Sequence, residues 1–294
     1  MVLLSTVILP AERWSNVRHA WLNAEAGGLH AAYTYDHLSW RDFRERNWFT
    51  MVPTLAAAAE ITSTLRLGPL VTSPNFRHPL LLANDLIALD DISEGRIVVG
   101  VGSGGTGYDA TVLGEPALSA RERHERFEEF SRALDRLLRE RTTTIDGSYY
   151  SVHDSRQIPG PLQLPRPPLY LSALGPKSLA LTAEIADGWV SFGSPDPTTP
   201  TFDALRGQIT QLNEQVARRG REASSLHKVL LDFGGSEQPL ASYEAFIDWA
   251  GRYHELGIGE VVIHSPVPDS QFAYDPAVFD RILSDGRAEL AHWH

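Results

Sequence analysis

The 294-residue sequence predicts a single (β/α)8 barrel over residues 1–294, with an insertion near residues 142–168. Three observations lead there. Eight short apolar runs alternate with eight helix-like segments. The runs are rich in branched residues and lack a clean in-out alternation, as expected of parallel strands covered by helices. A chain of about 300 residues is also a size at which an α/β barrel forms one unit. Two Rossmann-like halves are the competing architecture.

Val2–Leu9 reads as a buried strand closed by Pro10. Ser15 caps a helix that Gly27 and Gly28 stop. Ala31–Tyr35 is the second strand, and a polar, aromatic loop, Leu38–Asn47, follows it. Trp48–Ser63 is a helix whose Ala56–Ala59 run suits close packing on a sheet. Arg66–Val71 is the third strand, Pro79–Ile92 a helix and Arg96–Gly100 the fourth strand. Ala120–Arg139 is a charged helix with an apolar stripe at Phe127, Phe130, Leu134, Leu137 and Leu138. Thr142–Pro168 holds an Asp146-Gly147 turn signal and then a proline-rich run, which reads as a hairpin followed by an extended approach. Leu169–Ser172, Gly188–Ser191, Lys228–Phe233 and Glu260–His264 are the last four strands. Ser178–Ala186, Phe202–Arg219 and Tyr243–Leu256 are the helices between them, and Pro276–Asp285 begins a final one.

Composition excludes several classes of function. There is no cysteine, so disulfides, thiolate catalysis and cysteine-based metal sites are ruled out. The formal net charge is −11 and the basic residues are scattered among acids, which argues against nucleic-acid binding. Only two lysines occur, Lys177 and Lys228. Met1–Pro10 is apolar but short and lacks a basic leader, and no run approaches the ~18 apolar residues of a membrane span. A cytoplasmic protein without membrane partners is expected. No cluster has metal-ligand spacing; His292 and His294 read as terminal and solvated.

In such a barrel the chemistry comes from the segments that follow the strands. Asp36-His37 follows the second strand; the histidine either moves protons or serves a structural role. Gly68 to Pro79 follows the third, stiffened by Pro69, Pro74 and Pro79. Gly100-Val101-Gly102-Ser103-Gly104-Gly105 follows the fourth. It matches G-x-G-x-x-G, yet loop-like sequence follows instead of a helix, so close backbone approach to a flat ring or an anion, or plain loop flexibility, is the better reading. Gly175-Pro176-Lys177-Ser178 opens a helix and makes an anion site of the kind found at helix starts. Trp40, Trp48, Phe76 and Tyr108 are candidates to line an apolar pocket.

Taken together and in order, these segments resemble the bacterial luciferase-like flavin and deazaflavin oxidoreductases. The carrying residues are Tyr35-Asp36-His37, Arg66 to Pro79, Leu89-Asp90-Asp91-Ile92-Ser93-Glu94-Gly95-Arg96, Gly100 to Gly104, Gly175-Pro176 and Asp187-Gly188-Trp189. The resemblance runs from the first strand to about Phe192. It is strongest to the branch that uses the deazaflavin coenzyme F420, with FMN and monooxygenation as the alternative. It implies a catalytic acid/base at His37 and a non-prolyl cis peptide at Leu70-Val71. It also implies coenzyme contacts at Asp36, Leu70, Val71, Ser73, Gly102, Ser103, Ala173, Gly175, Pro176, Lys177, Ser178 and Phe192. Hydride transfer to a C=C or C=N bond of a metabolite or natural-product intermediate, such as a peptide carrying dehydroamino acids, is the implied activity. Relatives suggest a homodimer. One departure matters. Where F420-dependent sugar-phosphate dehydrogenases carry a glutamate after the strand-four glycines, this chain has Gly105. That and the scarcity of lysine argue against sugar-phosphate oxidation, and the wide aromatic loop Leu38–Trp48 is expected to admit a larger, less charged substrate.

Overall fold

The computed structural model describes residues 1–196, 198–234 and 237–293. Eight parallel strands, each followed by helix, give the (β/α)8 class that the sequence predicts. The chain divides into two compact units.

The first unit holds residues 1–9, 19–33 and 173 onward. Its strands are β1 (Leu3–Val7), β2 (Ala31–Thr34), β8 (Gly188–Ser191), β9 (His227–Leu231) and β10 (Glu260–His264). They pair in parallel in the order β2-β1-β10-β9-β8. The helices of this unit include α5 (Pro176–Ile185), α6 (Thr201–Arg218) and α7 (Tyr243–Glu255). Trp21, Trp189, Phe246 and Tyr253 are fully buried and form the bulk of its core. The final helix differs from expectation. It is α-helical over Pro276–Arg281, widens to a π turn over Ile282–Gly286, and resumes at Arg287–Ala291. His292 is exposed and His294 lies outside the described residues.

The second unit holds residues 10–18 and 34–172. It contains α2 (Met51–Ile61), β3 (Arg66–Pro69), α3 (Pro79–Ile92), β4 (Val99–Val101), α4 (Ala120–Arg139) and β7 (Leu169–Ser172). Between α4 and β7 runs an antiparallel hairpin, β5 (Thr142–Asp146) and β6 (Ser151–Arg156), where the sequence predicts one. Helix α2 starts later than predicted. Pro53 has no N–H and fits only the first turn, while Phe49 N–H donates to the Pro10 carbonyl at 2.8 Å. Helix α4 is closed at its start by a reciprocal cap, Ser119 with Glu122. Its predicted stripe is buried, and Arg136–Glu140 and Arg139–Asp135 pair one turn apart on its surface.

The Leu89 to Arg96 segment has a structural role. Arg96 donates to the carbonyls of Ala59, Thr62 and Leu65 at 2.9–3.0 Å, which closes the open end of α2. Asp90, fully buried, accepts from the Gln163 backbone and side-chain amides at 2.9 and 2.7 Å. Glu94 and Gly95 turn the chain with φ of 54° and 80°.

In the first unit the His264 ring, at the end of β10, stacks on Phe272 at 3.8 Å and is fully buried. Burial pushes its pKa down to about 3, against a weaker opposing hydrogen bond to the Asp232 backbone. The unfolded chain therefore takes up a proton near pH 6.5 that the native ring refuses. Stability from this residue is complete above that pH and is lost toward about pH 3. Each pH unit in that window costs about 1.4 kcal/mol. Urea unfolding between pH 7 and pH 4 should show His264→Phe losing less stability with acid than wild type; parallel curves would show that His264 does not contribute.

Candidate active site

The site is built in the second unit, from the segments that follow β2, β3 and β4. His37 lies three residues beyond β2. Its Nδ1 meets Asp109 Oδ2 at 2.5 Å. The other Asp109 oxygen accepts from the Leu38 and Ser39 amides, each at 3.0 Å. Asp109 sits in a short 3₁₀ turn, Tyr108–Ala110, and is buried. A carboxylate can only accept, so Nδ1 carries the proton and Nε2 is left as the exchangeable position. The imidazole side chain is 27% exposed, enough for a substrate to reach.

Aromatic side chains hold the ring in place. Trp40 stacks on His37 at 5.8 Å and 24°, and Tyr35 meets it edge-on at 5.9 Å. Trp48 Nε1 donates to the His37 carbonyl at 2.8 Å. Phe43 stacks under Trp40 at 5.6 Å. Trp40 and Phe43 are buried, so these rings make a base for the histidine as well as an apolar wall. Tyr108 is 38% exposed and lies under the Arg44 guanidinium, which also donates to its hydroxyl at 3.0 Å. Phe76 is half-buried, with Arg77 over its ring.

Asp36 is almost fully buried. Thr72 Oγ1 donates to it at 2.6 Å, and Arg77 donates to both of its oxygens at 2.9 and 2.7 Å. This two-pronged pair ties the loop after β3 to the chain leaving β2. The Leu70-Val71 peptide, named by the resemblance, is cis. Ser73 is buried and Ser103 is half-buried beside Gly104.

The strand-four glycines have a steric reason of their own. A Cβ on Gly100 would come within 2.5 Å of the Pro69 carbonyl, and one on Gly102 within 2.6 Å of the Val71 side chain. Gly104 takes φ +72° with Asn75 packed against it. These glycines let the protein's own β3 and β4 backbones approach, so the fold alone accounts for them.

Two places present donors to an anion. Gly175 has open space around it, Ser178 Oγ bonds the Gly175 carbonyl at 2.9 Å, and Lys177 is exposed at the start of α5. Sequence reasoning missed the other. On α4, Arg126 reaches Asn75 at 2.5 Å, yet its buried Nε and the buried hydroxyl of Tyr150 have no hydrogen-bond partner among the described residues. Orphaned donors of this kind fit an acidic ligand group. Ala173 is buried, Pro176 is exposed and Phe192 is half-buried. Among the described residues no group of three or more His, Asp or Glu side chains could hold a metal ion, and no helix is long and apolar enough to cross a membrane.

Residues 2–256 match the family described as luciferase-like monooxygenase. A protein of Beutenbergia cavernae named F420-dependent glucose-6-phosphate dehydrogenase is 35% identical over 57% of this chain. That match spans 49% of the relative's length. Among solved structures, an F420-dependent secondary alcohol dehydrogenase holding an F420–acetone adduct superposes with a TM-score of 0.79 at 19% identity, over 96% of this chain and 98% of that one. The coenzyme F420-dependent tetrahydromethanopterin reductase of Methanopyrus kandleri superposes with a TM-score of 0.74 at 18% identity, covering 96% and 97%. At such identities the likeness is one of fold.

The two roles open to Asp36 separate by measurement. Asp36→Ala strands Arg77 and should lower unfolding free energy by about 3 kcal/mol, read by urea denaturation. Unchanged stability with weakened coenzyme binding would instead make Asp36 a ligand contact.

Proposed function

The chain belongs to the luciferase-like monooxygenase family, and from that premise we propose that it is an F420-dependent oxidoreductase with His37 as its acid/base. The observation that carries the reading is the His37–Asp109 contact, which fixes the tautomer and leaves Nε2 free to exchange a proton with a substrate. The F420-dependent relatives support the coenzyme; within the second unit the orphaned donors Arg126 Nε and Tyr150 Oη suit an acidic group, and the exposed Lys177 of the first unit suits a phosphate. Bound coenzyme would supply the hydride chemistry.

The protein residues do the rest. In the reductive direction Nε2–H of the imidazolium delivers a proton to the atom that gains it. In the oxidative direction Nε2 takes that proton up. The Asp109 carboxylate stabilises the imidazolium in either case, and Trp40, Phe43 and Trp48 hold the ring and exclude water. The acceptor is a C=C or C=N bond of a metabolite or natural-product intermediate. Gly105 and the two-lysine composition favour that class over a sugar phosphate.

Titrating F420 and FMN separately into the apoprotein, followed by fluorescence, should show tight binding of F420 alone; FMN binding with oxygen uptake on turnover would move the protein to the monooxygenase side. Once a substrate is in hand, His37→Ala should lower turnover by about 10²–10⁴-fold with coenzyme affinity nearly intact. Lys177→Ala should weaken F420 binding, with the loss shrinking as salt rises. A dissociation constant unchanged at low salt would remove Lys177 from the coenzyme site.

A further inference from the structure

A second polar centre lies in the first unit, where three adjacent parallel strands end. Phe192 follows β8, Asp232 and Phe233 follow β9, and His264 ends β10. Phe233 lies 5.5 Å from Phe192 and 6.3 Å from His264, which in turn stacks on Phe272. Asp232, which precedes Phe233 in the chain, has 9% of its surface exposed. Its Oδ1 accepts a long bond, 3.4 Å, from the Gly234 amide. Tyr274 lies near enough for the Asp232 charge to raise its pKa, after the larger effect of burial.

A buried carboxylate normally has a cation or several donors to offset its lost hydration. Among the described residues Asp232 has neither. The one other charged side chain that acts on it is Glu237, an acid, and Glu237 already accepts from Tyr253 at 2.7 Å and Arg252 at 3.0 Å. Burial first, and Glu237 after it, raise the Asp232 pKa to about 6, so near neutral pH it is ionised and uncompensated. An arrangement that leaves a charge so poorly served inside the fold points to a ligand that serves it. In a barrel the carboxyl ends of the strands are where substrates are met.

We propose that Asp232, with Tyr274 and the rings of Phe192 and Phe233, forms within the first unit a site that binds a protonated amine. A hydroxyl would satisfy one oxygen but leave the charge uncompensated. An ammonium group satisfies both, and aromatic faces attract cations as well. The chain's net charge of −11 favours the approach of such a ligand. Resting on the reading above, this deepens it. A C=N bond that gains a hydride at carbon and a proton at nitrogen becomes an amine, so the product of that reaction class carries the group this site recognises.

The test uses three probes of one skeleton: 2-phenylethylamine, 2-phenylethanol and 3-phenylpropanoate, titrated by calorimetry into the full-length protein. The amine should bind at least about tenfold more tightly than the alcohol, and the carboxylate should not bind. Asp232→Asn keeps the shape and removes the charge; it should abolish the preference for the amine. On wild type, amine affinity should fall as pH drops below about 6, where Asp232 takes up a proton. That arm needs no variant and stands even if Asp232→Asn fails to fold. Equal binding of amine and alcohol, no amine binding at all, or a preference that survives in Asp232→Asn would overturn the proposal. Coenzyme titration fails or succeeds separately, so loss of the F420 reading and loss of this site are distinguishable.

Discussion

The Asp109 carboxylate is the constraint on which the site depends. One oxygen holds the His37 ring and the other holds the amides of Leu38 and Ser39. Three donors on one side chain fix a tautomer, a ring plane and the start of a loop together. Without them, the segment after β2 would be free to choose among loop conformations, and loops of that kind are where mobility concentrates. The stacked rings of Trp40 and Phe43 limit the histidine further but cannot set which nitrogen carries the proton. That choice is electrostatic, and Asp109 makes it.

The neighbouring Asp36 shows how two adjacent residues divide the work. Its side chain is turned to Thr72 and Arg77 and is nearly fully buried. His37 remains 27% exposed and keeps one nitrogen free. The pair that reads in sequence as one motif is therefore an anchor followed by a reactive group. The anchor binds the β3 loop, whose Leu70-Val71 cis peptide lies beside Gly100 and Gly102. Rigidity there comes from a charge pair and from steric contact between backbones.

Much of this was legible in the residues. Helices α3 and α4 match their predicted limits because Pro79 and the Ser119–Glu122 cap are local start signals. Strands β7, β8 and β10 are continuous apolar runs bounded by polar or glycine residues, and they too match. Helix α2 and the last helix were less legible. The start of α2 depends on a long-range bond from Phe49 to Pro10, and the last helix opens to a π turn at Ile282–Gly286, for which no local sequence signal was evident. The glycine loop was legible as a motif but not as a cause, since what crowds Gly100 and Gly102 is a strand about thirty residues earlier. Asp109 was missed because it lies 72 residues from His37, in a stretch that shows only loop composition. Surveying every carboxylate beyond a strand end, and not only those beside a histidine, would have raised Asp109; Asp232 falls inside the predicted strand Lys228–Phe233, whereas β9 ends at Leu231.

Those two aspartates are both buried, and the difference between them is informative. Asp109 accepts three short hydrogen bonds, so its charge is well solvated by the protein itself. Asp232 accepts one long bond and faces another acid. A fold that can surround one carboxylate with donors has no structural need to leave a second one bare. Hydrophobic or amide residues at position 232 would avoid the desolvation cost of this buried position. Among the described residues no cation offsets the Asp232 charge, and the proposed amine is a group that would do so. Among candidate ligands, only one that brings positive charge removes the penalty in full, and that is the physical reason an amine ranks ahead of an alcohol or a phosphate at this end of the strands.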